Sequence, residues 1–499
     1  MMKKFFEKHD LVKIAIGMII LSLILTWIIP QGYFNAGELV KNDITRIGTF
    51  DLFTYGLLGM YYFTVLVTFL FVVGGFYQFL SKLGAYQRLT DSIAKKLKGK
   101  EIIFSLIISF IFAALASIVN EYFILIAFMP FFVTVCTKLK MDKISTFVTT
   151  FGALLVGMLG STISTKIVGM NVQYLQVKYT DNLLEKILLF AIAFIVYSLF
   201  NVLYMKKTIV KDKEVANDKK VSKKDTKKKA DSKKKEIKKV IKKTKEIVLS
   251  EDLFANEVKD SEKSSIIPLL VVGILGVIVT ILAYIPWTAV FEVDWFTKAT
   301  EWVKSAQLFG KPIFSYILGT VNEFGSWDIF GVQIVMLLSV LVLQLCYRVS
   351  INTVIESFAE GFKKISKLVV ILLLVYVVLE FAVMYPVLPT ILDKILGAKF
   401  NVFTTALSGL VTSLFTCEYQ YAINLVYSYF TSAYASNLSV VSIILQSMFG
   451  LVSFFAPTSA MLFVGLSYMD IPYKDWMKYI WKFVIAMLVV IIVMAFIIA

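Results

Sequence analysis

Histidine and cysteine are almost missing from this 499-residue chain: one His (His9) and three Cys (Cys136, Cys346, Cys417). That scarcity excludes a disulfide framework and a His/Cys metal site, and with it zinc or haem chemistry. Charge is scarce as well, at 17% of residues. Soluble domains carry about 25%, which argues against a water-soluble enzyme. What is present instead is apolar: 58% of the chain, with 15% aromatic and a mean hydropathy of +0.78. Runs of about 20 apolar residues, each able to cross a hydrocarbon core as a helix, recur from Leu11 to the C-terminus. The composition predicts an all-α polytopic membrane protein.

The formal net charge of +16 is concentrated in one place. Residues 206–250 hold 19 Lys against 7 Asp plus Glu and so supply +12, leaving +4 for the rest. No aromatic residue lies between Lys206 and Leu253 to stack on bases, which argues against nucleic acid as a partner. A solvated, self-repelling tether that also feels anionic lipid headgroups is the expectation. It divides the chain into an N-terminal membrane half (1–205), a Lys-rich cytoplasmic linker (206–263) and a C-terminal membrane half (264–499). Lys3, Lys4 and Lys8 precede an apolar run that is too long for a signal peptide and lacks a small-residue cleavage site, so that run reads as the first span.

Apolar runs fall at 11–29, 59–80, 102–118, 123–137, 144–176, 185–205, 266–285, 329–347, 365–385, 401–416, 421–435, 438–469 and 477–498. Two pairs, 102–118 with 123–137 and 401–416 with 421–435, are short and closely joined. Each fits a re-entrant helical hairpin better than two crossings. Short loops rich in Lys and Arg mark the cytoplasmic side, which places the N-terminus, residues 82–100, 138–143 and the linker inside. About nine crossings result. The first hairpin then opens inward and the second outward. Apolar faces at 351–365 and at Trp295–Ala306 read as helices lying flat on the membrane, and four of seven Trp (Trp287, Trp295, Trp302, Trp327) form an outer aromatic belt. Glu380 with Tyr385 and Pro386 marks a further candidate break.

The halves repeat. The first hairpin turns at Asn120-Glu121-Tyr122 and the second at Cys417-Glu418-Tyr419, 297 residues later. The first long run is interrupted by Gly160-Ser-Thr-Ile-Ser-Thr165, and Ala456-Pro-Thr-Ser-Ala460 interrupts another at the same offset. Opposite orientation of the two copies gives inverted repeats, each with a hairpin and a broken helix, which is the architecture of secondary transporters. Freed backbone groups at such breaks are tolerated at membrane depth only where they line a cavity or are buried in protein. Ionisable groups there are costly, so Glu121 and Glu418 are functional candidates.

The expected site is therefore Asn120, Glu121, Ser161, Thr162, Ser164, Thr165, Glu418, Tyr419, Thr458 and Ser459. Lys166 is a charge partner for a glutamate or a solute carboxylate, and Ser161, Thr162 and Thr458 are candidate Na⁺ ligands. Ser and Thr in a span also bond back to their own helix or glue helices together, and Lys166 could instead snorkel to the interface. Two tip carboxylates favour a cationic or zwitterionic solute, or a coupling cation, over a bare dianion.

Several stretches resemble the YfcC-like branch of the C4-dicarboxylate anaerobic carrier family, within the ion transporter superfamily. They are Leu25-Thr-Trp-Ile-Ile-Pro-Gln-Gly-Tyr-Phe34, Ala456-Pro-Thr-Ser-Ala-Met-Leu462 with Gly465-Leu466, and Ile471-Pro-Tyr-Lys-Asp-Trp476, with weaker similarity at Asn120-Glu121 and 151–171. The resemblance implies a secondary carrier in the cytoplasmic membrane, with solute held by two hairpin tips and two broken helices. This chain departs from the family pattern at Thr416-Cys417-Glu418-Tyr419-Gln420, where a Gly/Ser-rich tip is usual, and at Ser164-Thr165-Lys166, where Asn-Pro is usual. Members are described as dicarboxylate carriers and as basic amino acid antiporters. The expected function is ion-coupled or exchange transport of a small carboxylate-bearing solute, an amino acid first and a C4-dicarboxylate second. No organic cofactor is expected, only Na⁺ or H⁺ as coupling ion. An ion channel and a polytopic membrane enzyme are the alternatives from other classes, and a homodimer is left open.

Overall fold

The computed structural model describes residues 10–224, 249–256, 264–319 and 322–499. Among these, nine helices are long and apolar enough to span a membrane: Asp10–Ile28, Thr64–Ser81, Glu101–Ile118, Leu183–Thr208, Ile267–Tyr284, Ile329–Tyr347, Ile351–Met384, Ala435–Val452 and Tyr473–Ile498. Tyr122–Lys138 and Val402–Phe415 are shorter apolar helices. The fold is that of an all-helical polytopic membrane protein.

Both expected breaks are present, and each splits an apolar run. Residues 144–176 form Lys143–Thr149, Phe151–Leu159 and Val168–Leu175, with irregular backbone across Gly160–Ile167. Residues 438–469 form Leu438–Val452 and Ala460–Tyr468, with the chain unwound around Pro457. The hairpins differ from plain helical arms. The return arm of the first opens as a 3₁₀ helix, Tyr122–Phe128, before Met129–Lys138. The return arm of the second is two short helices, Tyr419–Asn424 and Tyr427–Ala433.

Small residues let these pieces touch backbone to backbone, as membrane helices do where apolar burial alone gives no preference. A Cβ at Gly157 would lie 2.3 Å from the Ala113 carbonyl oxygen, and one at Gly450 would lie 2.2 Å from the Leu159 Cα. The first contact holds the hairpin arm Glu101–Ile118 against the helix that precedes the first break. The second crosses the two pre-break helices, so the breaks approach each other.

The expectation of a flat interfacial helix at 351–365 is corrected. Residues Ile351–Met384 form one continuous 34-residue helix. It packs along Thr64–Ser81, and a Cβ at Gly361 would meet the Gly74 carbonyl oxygen at 2.3 Å. Of the expected apolar stripe, Phe358 and Ile365 lie against Gly75 and Gly74 of this partner helix, while Ile351 and Ile355 are exposed; no proline interrupts the segment. The helix does end at Tyr385-Pro386, beyond the buried Glu380. Trp295–Ser305 is a helix with no buried residue.

Two straps were not foreseen. Gly32–Asn35 and Glu38–Lys41 form an antiparallel hairpin turning at Ala36 and Gly37, both with positive φ (48° and 86°), the backbone of a tight two-residue turn. Phe34 is buried against Tyr429, with ring centroids 5.1 Å apart, so this hairpin lies on the return arm of the second helical hairpin. The other strap is the end of the linker. Ser250 N–H donates to the Met141 carbonyl at 3.0 Å, the Thr134 hydroxyl donates to Asp252 Oδ2 at 2.9 Å, and Phe254 is buried beside Tyr77. Residues 249–256, at the end of the linker, thus pack on the folded body. The Lys-rich stretch itself lies largely outside the described residues.

Candidate functional site

The two hairpin tips and the first break converge on one ion cluster. The Lys166 ammonium lies 2.9 Å from Glu121 Oε2 and 3.1 Å from Glu418 Oε2. The side chains are 23%, 16% and 8% exposed in the order Lys166, Glu121, Glu418, so the group is sheltered yet reachable. Of the two readings of Lys166, charge partner and snorkelling cation, the geometry favours the first.

Each carboxylate is also held from its other oxygen. Glu121 stands at the N-terminus of the 3₁₀ helix, where its Oε1 accepts the Phe123 N–H at 3.1 Å. A carboxylate there satisfies an orphan helix-end donor. Glu418 Oε1 accepts the Tyr376 hydroxyl at 2.6 Å, a short charge-assisted bond. Tyr376 is fully buried, with its ring 3.7 Å from that of Phe63. Sequence reasoning missed Tyr376, although a lone phenol in an otherwise aliphatic stretch of a span was a usable signal.

Ser117, also missed, organises the first break. Its hydroxyl donates to the Gly160 carbonyl at 2.8 Å, and its carbonyl accepts N–H groups of Thr162, Ile163 and Ser164 at 3.0–3.3 Å. One residue at the end of the hairpin arm thus satisfies donors that the broken ladder frees. In the second half the Thr458 hydroxyl donates to the Leu414 carbonyl at 3.0 Å. Leu414 stands 297 residues after Ser117, and Thr458 stands 297 after Ser161.

The remaining expected site residues divide. Thr162 Oγ1 pairs with the Ser117 hydroxyl, and Ser459 caps Ala460–Tyr468 through Leu462 N–H. Asn120 turns to another segment, donating from its backbone to Tyr284 and from its side chain to Gly325. Ser161 and Ser164 have buried hydroxyls that make no hydrogen bond among the described residues, as does Tyr122, while Thr165 is half-buried. Tyr419 donates to Asn171 Oδ1 at 2.5 Å; Asn171 donates to Gln446 Oε1 at 2.9 Å; and Gln446 donates to the Ser161 carbonyl at 3.1 Å. This buried relay ties the second tip to the first break. Asn171 and Gln446 were not foreseen, because a single amide in an apolar run reads equally well as helix glue. Among the described residues no group of three or more His, Cys, Asp or Glu is placed to hold a metal ion.

Two helical hairpins whose tips meet at a broken helix, with charged groups enclosed inside a bundle of apolar spans, define a polytopic membrane carrier. The chain belongs to the DcuC family, the C4-dicarboxylate anaerobic carriers, whose family model matches residues 9–499. Solved transporters align with nearly the whole chain at low similarity. The YdaH transporter of Alcanivorax borkumensis is 12% identical over 97% of this chain and 98% of its own, with a TM-score of 0.41. MtrF of Neisseria gonorrhoeae, from a class of antimetabolite efflux pumps, is 11% identical over 97% and 94%, with a TM-score of 0.36. No curated protein matches the chain in sequence. The protein is a multi-pass membrane transporter.

Proposed function

We propose that the protein is a secondary active transporter of a small carboxylate-bearing solute, an amino acid in preference to a C4-dicarboxylate. The observation that carries this reading is Lys166 bridging Glu121 and Glu418. Two carboxylates and one ammonium leave the cluster with one net negative charge. A bare dianion would add two more negative charges where screening is weak. A zwitterion is complementary. Its ammonium suits the glutamates, and its carboxylate suits the third proton of Lys166, which has two carboxylate partners among the described residues. The unpaired hydroxyls of Ser161, Ser164 and Tyr122 are further donors.

The wider frame belongs to the same proposal. Residues 1–205 and 264–499 act as oppositely oriented repeats in the cytoplasmic membrane, with the N-terminus and the 206–263 linker inside and anionic lipid near the Lys-rich stretch. Solute moves by exchange or by coupling to an ion as the halves rock about the tips. The description of the family supports the second reading, a C4-dicarboxylate held through Lys166. Uptake by purified protein in proteoliposomes, tested against a panel of amino acids and dicarboxylates under imposed Na⁺ and pH gradients, separates the two. Saturable uptake of an amino acid supports the proposal. Uptake of dicarboxylates alone would replace it, and current without saturable flux would indicate a channel.

A further inference from the structure

Building on the reading of the Glu121–Lys166–Glu418 cluster as the transport site, we infer that Lys166 is a resident cation. It occupies the position that a coupling Na⁺ would otherwise fill, so this carrier needs no bound metal ion to hold its empty site together.

Glu121 comes from the first hairpin tip and Glu418 from the second, and one ammonium reaches both at 2.9 and 3.1 Å. Without that ammonium two sheltered carboxylates would share a single site, a state that is relieved by a proton or by a cation. Oxygen donors suited to a small hard cation lie on the same stretch of chain as Lys166. Besides the carboxylates there are the fully buried, unpartnered hydroxyls of Ser161 and Ser164 on the break that carries Lys166. The Tyr122 hydroxyl, next in sequence to Glu121 at the first tip, is likewise buried and has no hydrogen-bond partner among the described residues. Oxygen-rich, net-negative cradles of this kind take hard cations. Here the cradle is closed by a side chain tethered to the protein.

Tethering has a consequence for coupling. A soluble ion must be rebound in each cycle and its gradient drives transport, whereas a resident ammonium travels with the protein and contributes no gradient. The solute ammonium then competes with Lys166 for the glutamates. The empty carrier stays neutralised enough to reorient, which suits exchange or proton-linked movement rather than Na⁺ symport.

The test compares melting of wild type, Lys166→Gln and Lys166→Gln/Glu418→Gln at mildly alkaline pH, in NaCl against equal choline chloride at about 0.15 M. A ligand that binds only the folded state raises its melting temperature by mass action. Wild type should melt alike in both salts. Lys166→Gln, its two carboxylates uncompensated, should melt higher in Na⁺, and the double variant, with one carboxylate left, should lose that response. Recovery of folded Lys166→Gln only when Na⁺ is present throughout purification is the same stabilisation and supports the inference. A Na⁺-specific rise in wild type overturns it, as does a folded single variant indifferent to Na⁺. A second readout needs wild type alone: solute uptake in Na⁺-free choline medium should keep its rate, and a fall of about tenfold or more would contradict the inference. Failure of every amino acid in the uptake panel, with the melting pattern intact, would overturn the solute assignment and leave the role of Lys166 standing.

Discussion

Tyr376 donates its hydroxyl to Glu418 at 2.6 Å, so a buried residue of the helix Ile351–Met384 orients the carboxylate at the second hairpin tip. Tyr376→Phe keeps the ring on Phe63 and removes only this bond. Hydrogen bonds to charged groups contribute about 1.5–3 kcal/mol, and 1.4 kcal/mol is about tenfold in affinity. The variant is expected to fold normally and to bind solute about tenfold more weakly. Equilibrium binding alongside a melting curve checks this, and unchanged affinity would remove Tyr376 from the site.

The relay from Tyr419 through Asn171 and Gln446 to the Ser161 carbonyl holds the second tip to the first break. Gln446→Leu leaves buried polar partners unpaired, at a cost of about 1–3 kcal/mol. Its melting temperature should fall measurably. Ser447→Ala removes a neighbouring buried hydroxyl that makes no hydrogen bond among the described residues and should melt like wild type.

Much of this site was legible in the sequence, and the reason is physical. Glutamates and a lysine inside apolar runs are costly and therefore conspicuous, Pro457 cannot sit in a helix interior without breaking the ladder, and Gly160 heads a cluster of hydroxyls. Glu121, Lys166 and Glu418 were found on those grounds. The residues that hold them were not. Ser117, Asn171, Tyr376 and Gln446 act through partners far away in the chain, and no local pattern shows which carbonyl or carboxylate a buried hydroxyl will meet. The same limit hid the continuous helix Ile351–Met384. An amphipathic stripe looks alike whether it faces headgroups or a second helix, and only the close approach of Gly361 to Gly74 distinguishes the two.

The linker strap makes a separable prediction. Deleting 212–246 while keeping 249–256 should leave solute affinity unchanged, because the Lys residues of that stretch supply charge rather than site chemistry. Phe254→Ala should loosen the strap, since truncating a buried phenylalanine costs about 3–5 kcal/mol. Docking should also depend on pH. Burial holds the Asp252 carboxyl above the ordinary carboxylate range, against the opposing hydrogen bonds from Phe254 N–H and Thr134 and the charges of Lys364 and Lys138. A released Asp252 ionises more readily, so docking is strongest at low pH and weakens as pH rises from the ordinary carboxylate value through the raised one. Proteolytic nicking of 249–256 should rise over that window, and Asp252→Asn should flatten the response.

Topology is checked by cysteine labelling after replacement of the exposed Cys346. Reagent added outside should reach positions introduced in 286–328 and at the mouth of the 401–435 hairpin. It should not reach Lys138 to Lys143. External labelling of the latter would break the assignment of oppositely oriented halves.

The most direct test of the central claim is solute binding and uptake by reconstituted wild type, Glu121→Gln, Glu418→Gln and Glu185→Gln. At an effective dielectric of about 20, charges 4 Å apart interact by roughly 4 kcal/mol before desolvation. Even about 1.4 kcal/mol net is a tenfold change. Each tip variant should therefore lose about tenfold or more in affinity, while Glu185→Gln, in the first turn of the helix that begins at Leu183, should match wild type. If both tip variants transport normally across the pH range, the cluster at Lys166 is structural and the solute site lies elsewhere.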